Sequence, residues 1–432
     1  MSIRKVGITV GLCLSLCASA SGMAAELKKV TPEAQGFSSE RLERLTAKLH
    51  GYVDEGKLPG FVAMVARKGE VVYSDSYGFQ NIKDQTPIQQ DSLFRIYSMT
   101  KAVVSVAALT LYEQGKFHLH DPVAKYIPAF KNLKVYVSGE GDEMVTEALE
   151  RPLTIQHLFT HTSGFTYHFI GDTPVHKLYR EIGIMPSASL LGARETDHAP
   201  SSSLDEFVER LSQVPLLHQP GAKFSYGVSV DVLAYLVEQW SGMPIEAYLE
   251  KTLFKPLDMR DTSYEVDDSD DARFMNNYDI TPTGLILKPD NAPNPYTEPA
   301  HLNGGGAGLV STARDYIRFT QMIVGGGALG GARILSPGTV ELMRSNHVPR
   351  TVESPELQDF GFGLGFAIHL DPARNGVLVP QNTFFWSGAA STYFWVDPVN
   401  DISVVFMTQV MPSISFLPND LRALVYQALV NP

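Results

Sequence analysis

The chain has 432 residues, 44% of them hydrophobic, with 35 basic and 47 acidic side chains for a net charge of −12. That length can bury a large core in two or three lobes, and the acidic balance argues against nucleic acid or an anionic membrane surface as a partner. Both cysteines, Cys13 and Cys17, fall within the first 25 residues, so neither a disulfide nor a thiol nucleophile is expected in the remainder.

Residues 1–25 carry the three parts of a secretory signal: Arg4 and Lys5, an apolar stretch from Val6 to about Cys17, then small residues around Ala18-Ser19-Ala20 and Met23-Ala24-Ala25. Cleavage is expected after Ala25, with Ala20 as the second choice, leaving 26–432 as a secreted or periplasmic chain. A lipid anchor at Cys17 is disfavoured, because Leu16 stands where a small residue is required. No later segment offers the roughly 18 consecutive apolar residues of a spanning helix, so no integral membrane segment is expected in the mature chain.

Ser39 to Glu55 reads as a helix, with Leu42, Leu45, Leu49 and Val53 at three- to four-residue spacing. Phe61 to Tyr73 reads as a hairpin of two half-buried strands around Lys68-Gly69-Glu70. The apolar-rich run Leu93 to Tyr97 leads into Ser98-Met99-Thr100-Lys101 and a helix-like stretch, Ala102 to Tyr112. Lys134 to Glu150 is partly strand and partly acidic loop, and helices follow at Ser203–Leu211 and Val230–Trp240. Asp267 to Asn303, rich in Asp, Asn and Pro, reads as an extended connection. Ala313 to Val324 is helical, capped by Ser311 or Thr312. Phe360–Leu370, Thr383–Ser387, Thr392–Val396 and Ile402–Gln409 read as strands, before a last helix from about Asn419 to Leu429. This order predicts an α+β fold: an antiparallel sheet flanked by helices and built from both ends of the chain, about 26–96 and 304–432. A mostly helical lobe, about 97–303, is inserted between them.

The Ser98-x-x-Lys101 spacing places a lysine amine one helical turn from a serine hydroxyl. A serine alcohol is a poor nucleophile near neutral pH, and an adjacent base activates it. The helix N-terminus adds backbone N–H groups that favour developing negative charge. The tetrapeptide alone is weak, since Ser2-Ile3-Arg4-Lys5 also matches it. In Pro220-Gly221-Ala222-Lys223-Phe224-Ser225-Tyr226-Gly227, a turn delivers Tyr226 just before an apolar helix, where a phenol near Ser98 and Lys101 can pass a proton. In Phe384-Phe385-Trp386-Ser387-Gly388-Ala389, a strand ends in small residues, and the Ala389 N–H can pair with that of Ser98 as an oxyanion hole. His157 to Phe165 is a helix end running into a polar turn that braces the site.

Together these segments resemble the serine β-lactamase and penicillin-recognising superfamily, in its class C-like branch with family VIII carboxylesterases and D-aminopeptidases. The resemblance extends to Phe254-Lys255-Pro256-Leu257-Asp258-Met259, to the run Gly304 to Ala313 and to Gly361-Phe362-Gly363-Leu364-Gly365, covering nearly the whole mature chain. It implies Ser98 as the acylated nucleophile, Lys101 as its proton acceptor, Tyr226 as a shared acid and base, and the Ser98 and Ala389 amides as the oxyanion hole. Neither a metal nor a cofactor is implied.

Two departures bear on substrate. Where the lactamase branch has asparagine two positions after the tyrosine, this chain has Val228; where it has Lys-Thr-Gly, this chain has Trp386-Ser387-Gly388. Loss of that cation removes a charge-assisted hydrogen bond to a substrate carboxylate, roughly 1.5–3 kcal/mol of recognition. A neutral acyl substrate is therefore expected, with Trp386, Phe385 and Tyr393 as candidate walls of an apolar acyl pocket. His118-Leu119-His120-Asp121 and Asp267-Asp268-Ser269-Asp270-Asp271 are read as connections, not metal sites, and no Gly-x-Ser-x-Gly elbow occurs. The reading is an exported serine hydrolase acting through an acyl-enzyme on a small-molecule ester or amide. The rivals are a β-lactamase or D-amino-acid peptidase, and a catalytically silent binding protein of this fold. The sequence leaves the oligomeric state open.

Overall fold

The computed structural model describes residues 26–184, 201–288, 302–355, 357 and 360–431. The expected signal segment and residues 185–200 lie outside them.

A nine-stranded sheet draws on both ends of the chain. The first part supplies β1 (Lys28–Lys29), β2 (Gly60–Arg67) and β3 (Glu70–Asn81), with a two-residue strand, Thr86–Pro87, paired to β3. The last part supplies β4 (Phe360–Phe362), β5 (Ala367–His369), β6 (Phe384–Ser387), β7 (Tyr393–Asp397) and β8 (Ile402–Met407). The order is β1-β3-β2-β8-β7-β6-β5-β4, antiparallel throughout except for β1 against β3. The two parts of the chain join where β8 pairs β2, Val404 opposite Val65.

Strand alternation divides the core in two. Along β2, Phe61, Ala63 and Val65 face one cluster, while Val62, Met64 and Ala66 face the other. The first face is covered by α1 (Ser39–Asp54), through Leu42, Leu45 and Leu49, and by the C-terminal helix through Leu417, Leu421 and Val425. The second is covered by α2 (Thr100–Glu113) and α4 (Ala313–Val324), with α3 (Ser229–Ser241) packed on α2. Helices on both faces explain why β2 is buried along all eight residues instead of half-buried as expected. α2 is buried from Thr100 to Leu111, which explains its apolar character all round.

Three sequence expectations change. Within Asp267–Asn303 the described residues form a hairpin, Tyr278–Thr281 with Gly284–Leu287, joined to a third strand at Val410–Met411. The polar composition concealed the short apolar run Leu285-Ile286-Leu287. Phe360–Leu370 is two strands, because Gly363 to Phe366 turns between β4 and β5. The last helix, α5, spans Leu417–Tyr426, starting earlier because Pro418 fits its first turn.

Candidate active site

The backbone before Ser98 is anchored twice. Phe94–Arg95 pairs antiparallel with Val310–Ser311, and the Ile96 N–H donates to the Leu309 carbonyl at 3.1 Å. Tyr97 then adopts φ +44°, an uncommon left-handed conformation for an aromatic residue that costs about 1–3 kcal/mol. It is buried, and its hydroxyl accepts from Asn277 Nδ2 at 2.7 Å, so its surroundings hold the turn in place. The turn sets Ser98 in a single 3-10 turn, Tyr97–Met99, that runs directly into α2.

Lys101 lies in the first turn of α2, only 1% exposed. Its Nζ is 3.2 Å from Ser98 Oγ, 2.9 Å from Tyr167 Oη and 2.5 Å from the Gly306 carbonyl oxygen. These three contacts fix the amine against the serine. The Gly306 N–H donates in turn to Asp231 Oδ1, 2.8 Å away at the start of α3. A Cβ on Gly306 would lie 2.5 Å from Asp231 Oδ2 and 2.7 Å from Tyr167 Oη, so only glycine fits there. This packing accounts for the last glycine of the Gly304-Gly305-Gly306 run. Burial pushes the Asp231 carboxyl up to about 6, against the opposing pull of the Lys101 charge. Burial also raises the Tyr167 hydroxyl well above the usual tyrosine range and keeps it a phenol.

Above this floor opens a cavity of about 450 Å³, half of whose lining residues are aromatic, Phe169, Tyr226, Phe385 and Trp386 among them. Its size suits a small organic substrate. The Tyr226 ring is held by His161 at 4.8 Å, Trp386 at 5.5 Å and Tyr167 at 5.6 Å between ring centres. Lys101 Nζ sits 4.8 Å from the Tyr226 ring centre. Among the described residues the Tyr226 hydroxyl has no hydrogen-bond partner, which leaves it available to a substrate. His161 is fully buried, and burial, followed by the Lys101 charge, holds it neutral.

β6 brings the last wall. Ser387 pairs with Tyr393, and the Gly388 N–H donates to the Thr392 carbonyl at 2.9 Å. A Cβ on Gly388 would lie 2.1 Å from Thr392 Oγ1 and 2.5 Å from the Ile96 carbonyl oxygen, so glycine lets the strand end rest on the backbone leading to Ser98. Ala389 thereby joins Ser98 in the cavity wall, and among the described residues its N–H has no acceptor.

Of the residues singled out by sequence, Ser98, Tyr226, Trp386, Ser387, Gly388 and Ala389 line one cavity, with Lys101 directly beneath. Two do not belong there. Val228 is fully buried in the core at the N-cap of α3 and does not line the cavity. Tyr393 points through the sheet to the α5 side, where its hydroxyl accepts from Arg422. Sequence reasoning also missed Tyr167, Asp231 and Gly306, since no spacing within the chain links those three positions to Lys101.

A protein-family model described as Beta-lactamase matches residues 45–429. An uncharacterized protein of Mycobacterium tuberculosis is 30% identical over 85% of this chain and 90% of its own length. Esterase EstB of Burkholderia gladioli is 28% identical over 84% of this chain and 89% of its own. Among solved structures, EstCE1, a hydrolase with promiscuous acyltransferase activity, superposes with a TM-score of 0.74 at 26% identity, covering 90% of this chain and 99% of that one. The chain belongs to the beta-lactamase family, as a serine hydrolase of its esterase-related branch.

Proposed function

We propose that this protein is an exported hydrolase that cleaves small, neutral carboxylic esters through an acyl-enzyme on Ser98. The observation that carries the reading is the contact of Lys101 Nζ with Ser98 Oγ at the floor of an apolar cavity. With the Gly306 carbonyl and Tyr167 hydroxyl accepting two N–H groups of a neutral Lys101 amine, its lone pair faces Ser98 and takes the hydroxyl proton as Oγ attacks the ester carbonyl. The Ser98 and Ala389 amides receive the oxyanion. As the intermediate collapses, Lys101 or Tyr226 returns the proton to the departing alkoxide, and the same groups then activate water to release the acid. Trp386 occupies the place of a carboxylate-binding lysine, and its indole, packed on Tyr226 and Phe362, presents an apolar face instead. The relatives named as an esterase and a hydrolase support the same substrate class.

The test compares turnover of p-nitrophenyl butyrate and of the β-lactam nitrocefin by one preparation, alongside Ser98→Ala. Efficient ester cleavage, little nitrocefin turnover and loss of both in Ser98→Ala are expected. Dominant nitrocefin turnover would reverse the substrate assignment, and an active Ser98→Ala would remove the acyl-enzyme. Export rests on the composition of residues 1–25; the mature protein from a secreting host should begin at Glu26, and an intact Met1 would refute it.

A further inference from the structure

Asp231 is fully buried in the first turn of α3 and, among the described residues, forms no ion pair within 4 Å. Its Oδ1 accepts the Gly306 N–H, while its Oδ2 has no hydrogen-bond partner among the described residues. Backbone N–H groups of Gly306, Asp231 itself and Gly305 favour the ionised form, but an asparagine oxygen would accept the Gly306 N–H equally well. Burying a carboxylate without a partner is costly, so a reason for the charge must lie close by. The groups facing this corner are Lys101 from α2, Tyr167 from the loop before Pro174, Tyr226 before α3, and Tyr264, whose hydroxyl donates to the Gly304 carbonyl at 2.7 Å. His161 faces Lys101 from the other side. Tyr167 and Tyr264 stay phenols and His161 stays neutral, each through burial, which leaves Lys101 as the group here on which a positive charge can form.

We propose that Asp231 is a positioning residue of the catalytic site: through the Gly306 peptide it fixes the carbonyl that orients Lys101, and its carboxylate stabilises the ammonium formed when Lys101 takes the Ser98 proton. The proposal rests on the acyl-enzyme reading above. The bookkeeping of the step is simple: the Ser98 O–H bond breaks, an N–H bond forms on Lys101, and the positive charge appears beside a carboxylate already in place. When the proton leaves for the alkoxide, Lys101 returns to the neutral amine and Asp231 is unchanged. Asp231 thus orients and supports the base from behind, in the relation a nucleophile's base has to its own third group. Gly306 is the link, since any larger residue there would push Asp231 and Tyr167 away from Lys101.

The variant Asp231→Asn keeps the acceptor for Gly306 and removes only the charge. In the full-length enzyme, kcat/KM for p-nitrophenyl butyrate is measured from pH 5 to 9, together with the rate at which a fluorophosphonate labels Ser98, read by mass spectrometry. A fall of about 10- to 100-fold at pH 7 is expected, with the acid limb of both profiles moved to lower pH by about one unit. The direction follows because a nearby negative charge favours the protonated lysine, and because Asp231 itself, raised to about 6, no longer titrates in the variant. A rate loss with the limb unmoved, or no change at all, would overturn the proposal, since a structural role does not shift a pH profile. If Asp231→Asn fails to fold, Asp231→Ser decides by the same reading: its acid limb must also lie about one unit below that of wild type, and an unmoved limb overturns the proposal. An unlabelled Ser98 in wild type would sink the acyl-enzyme reading and this proposal together, whereas a labelled wild type with an unshifted variant sinks this proposal alone.

Discussion

Two tyrosines meet at Lys101, and the structure separates their roles. Tyr167 is buried and accepts a hydrogen bond from Nζ, so it helps fix the amine; Tyr226 lines the cavity with no hydrogen-bond partner among the described residues. The two Phe substitutions should therefore behave differently. Tyr226→Phe removes a hydroxyl that contributes nothing to folding, so stability should stay within about 0.5 kcal/mol of wild type. Its kcat/KM should nonetheless fall by about 10²–10⁴, the usual worth of a positioned proton donor. Tyr167→Phe strips an acceptor from a buried lysine and should destabilise by about 1–3 kcal/mol as well as slowing turnover. Urea melts and ester kinetics on both variants check this. A stable, fully active Tyr226→Phe would remove that residue from the reaction, and an unchanged melt for Tyr167→Phe would mean that Gly306 and Ser98 hold Lys101 without it.

At the scale of elements, α4 shows how a single cap orders a larger assembly. Thr312, in extended conformation, accepts the Asp315 N–H at 3.1 Å, while Ser311 is turned to Thr262. The choice between Ser311 and Thr312, open in the sequence, thus falls to Thr312. The helix it starts reaches the sheet through Thr320 and Gln321, which both donate to Ser403 on β8. Thr312→Ala should cost about 1 kcal/mol, seen as a lower urea midpoint with an unchanged slope; a changed slope would mean that α4 unfolds on its own. Such local features were legible in sequence. Ser98 and Lys101 share one helical turn, and α1 announced itself by its leucine spacing. What was not legible depended on neighbours distant along the chain: β2 is buried on both faces because α4 and α1 happen to cover it. Tyr226 and Trp386 stood out by a turn before an apolar helix and by a strand end, and family resemblance gave them their roles; that same resemblance misled at Val228, whose side chain turns into the core. Asp231, Tyr167 and Gly306 converge on Lys101 from three segments, each with an ordinary local sequence.

For the whole molecule, the same burial that shapes the site sets its response to acid. Burial lowers His157 to about 4 and His369 to about 3, holds His161 well below its usual value, and lowers His176 and His218 as well. In the unfolded chain these histidines titrate near 6.5, so between their folded values and 6.5 the unfolded state binds more protons, and stability is lost as the pH falls. Asp231 and Asp315, both raised to about 6 by burial, act in the opposite sense: between about 3.8 and 6 the folded state binds more protons and gains stability as the pH falls. From pH 7 to 5 a deeply shifted histidine costs roughly 2 kcal/mol, against roughly 1 kcal/mol returned by each such aspartate, so the histidines prevail and the protein should melt at a lower temperature at pH 5. His369 is the cleanest place to test this. Its ring lies 4.7 Å from that of Phe385 and 5.0 Å from that of Phe360, and neither ring nitrogen has a hydrogen-bond partner among the described residues. His369→Phe keeps a flat ring among these aromatics and removes the proton-binding group, so the gap between the melting temperatures at pH 7 and pH 5 should narrow. An unaltered gap would mean that His369 is protonated in the folded state, and with it that the β5–β6 corner admits water.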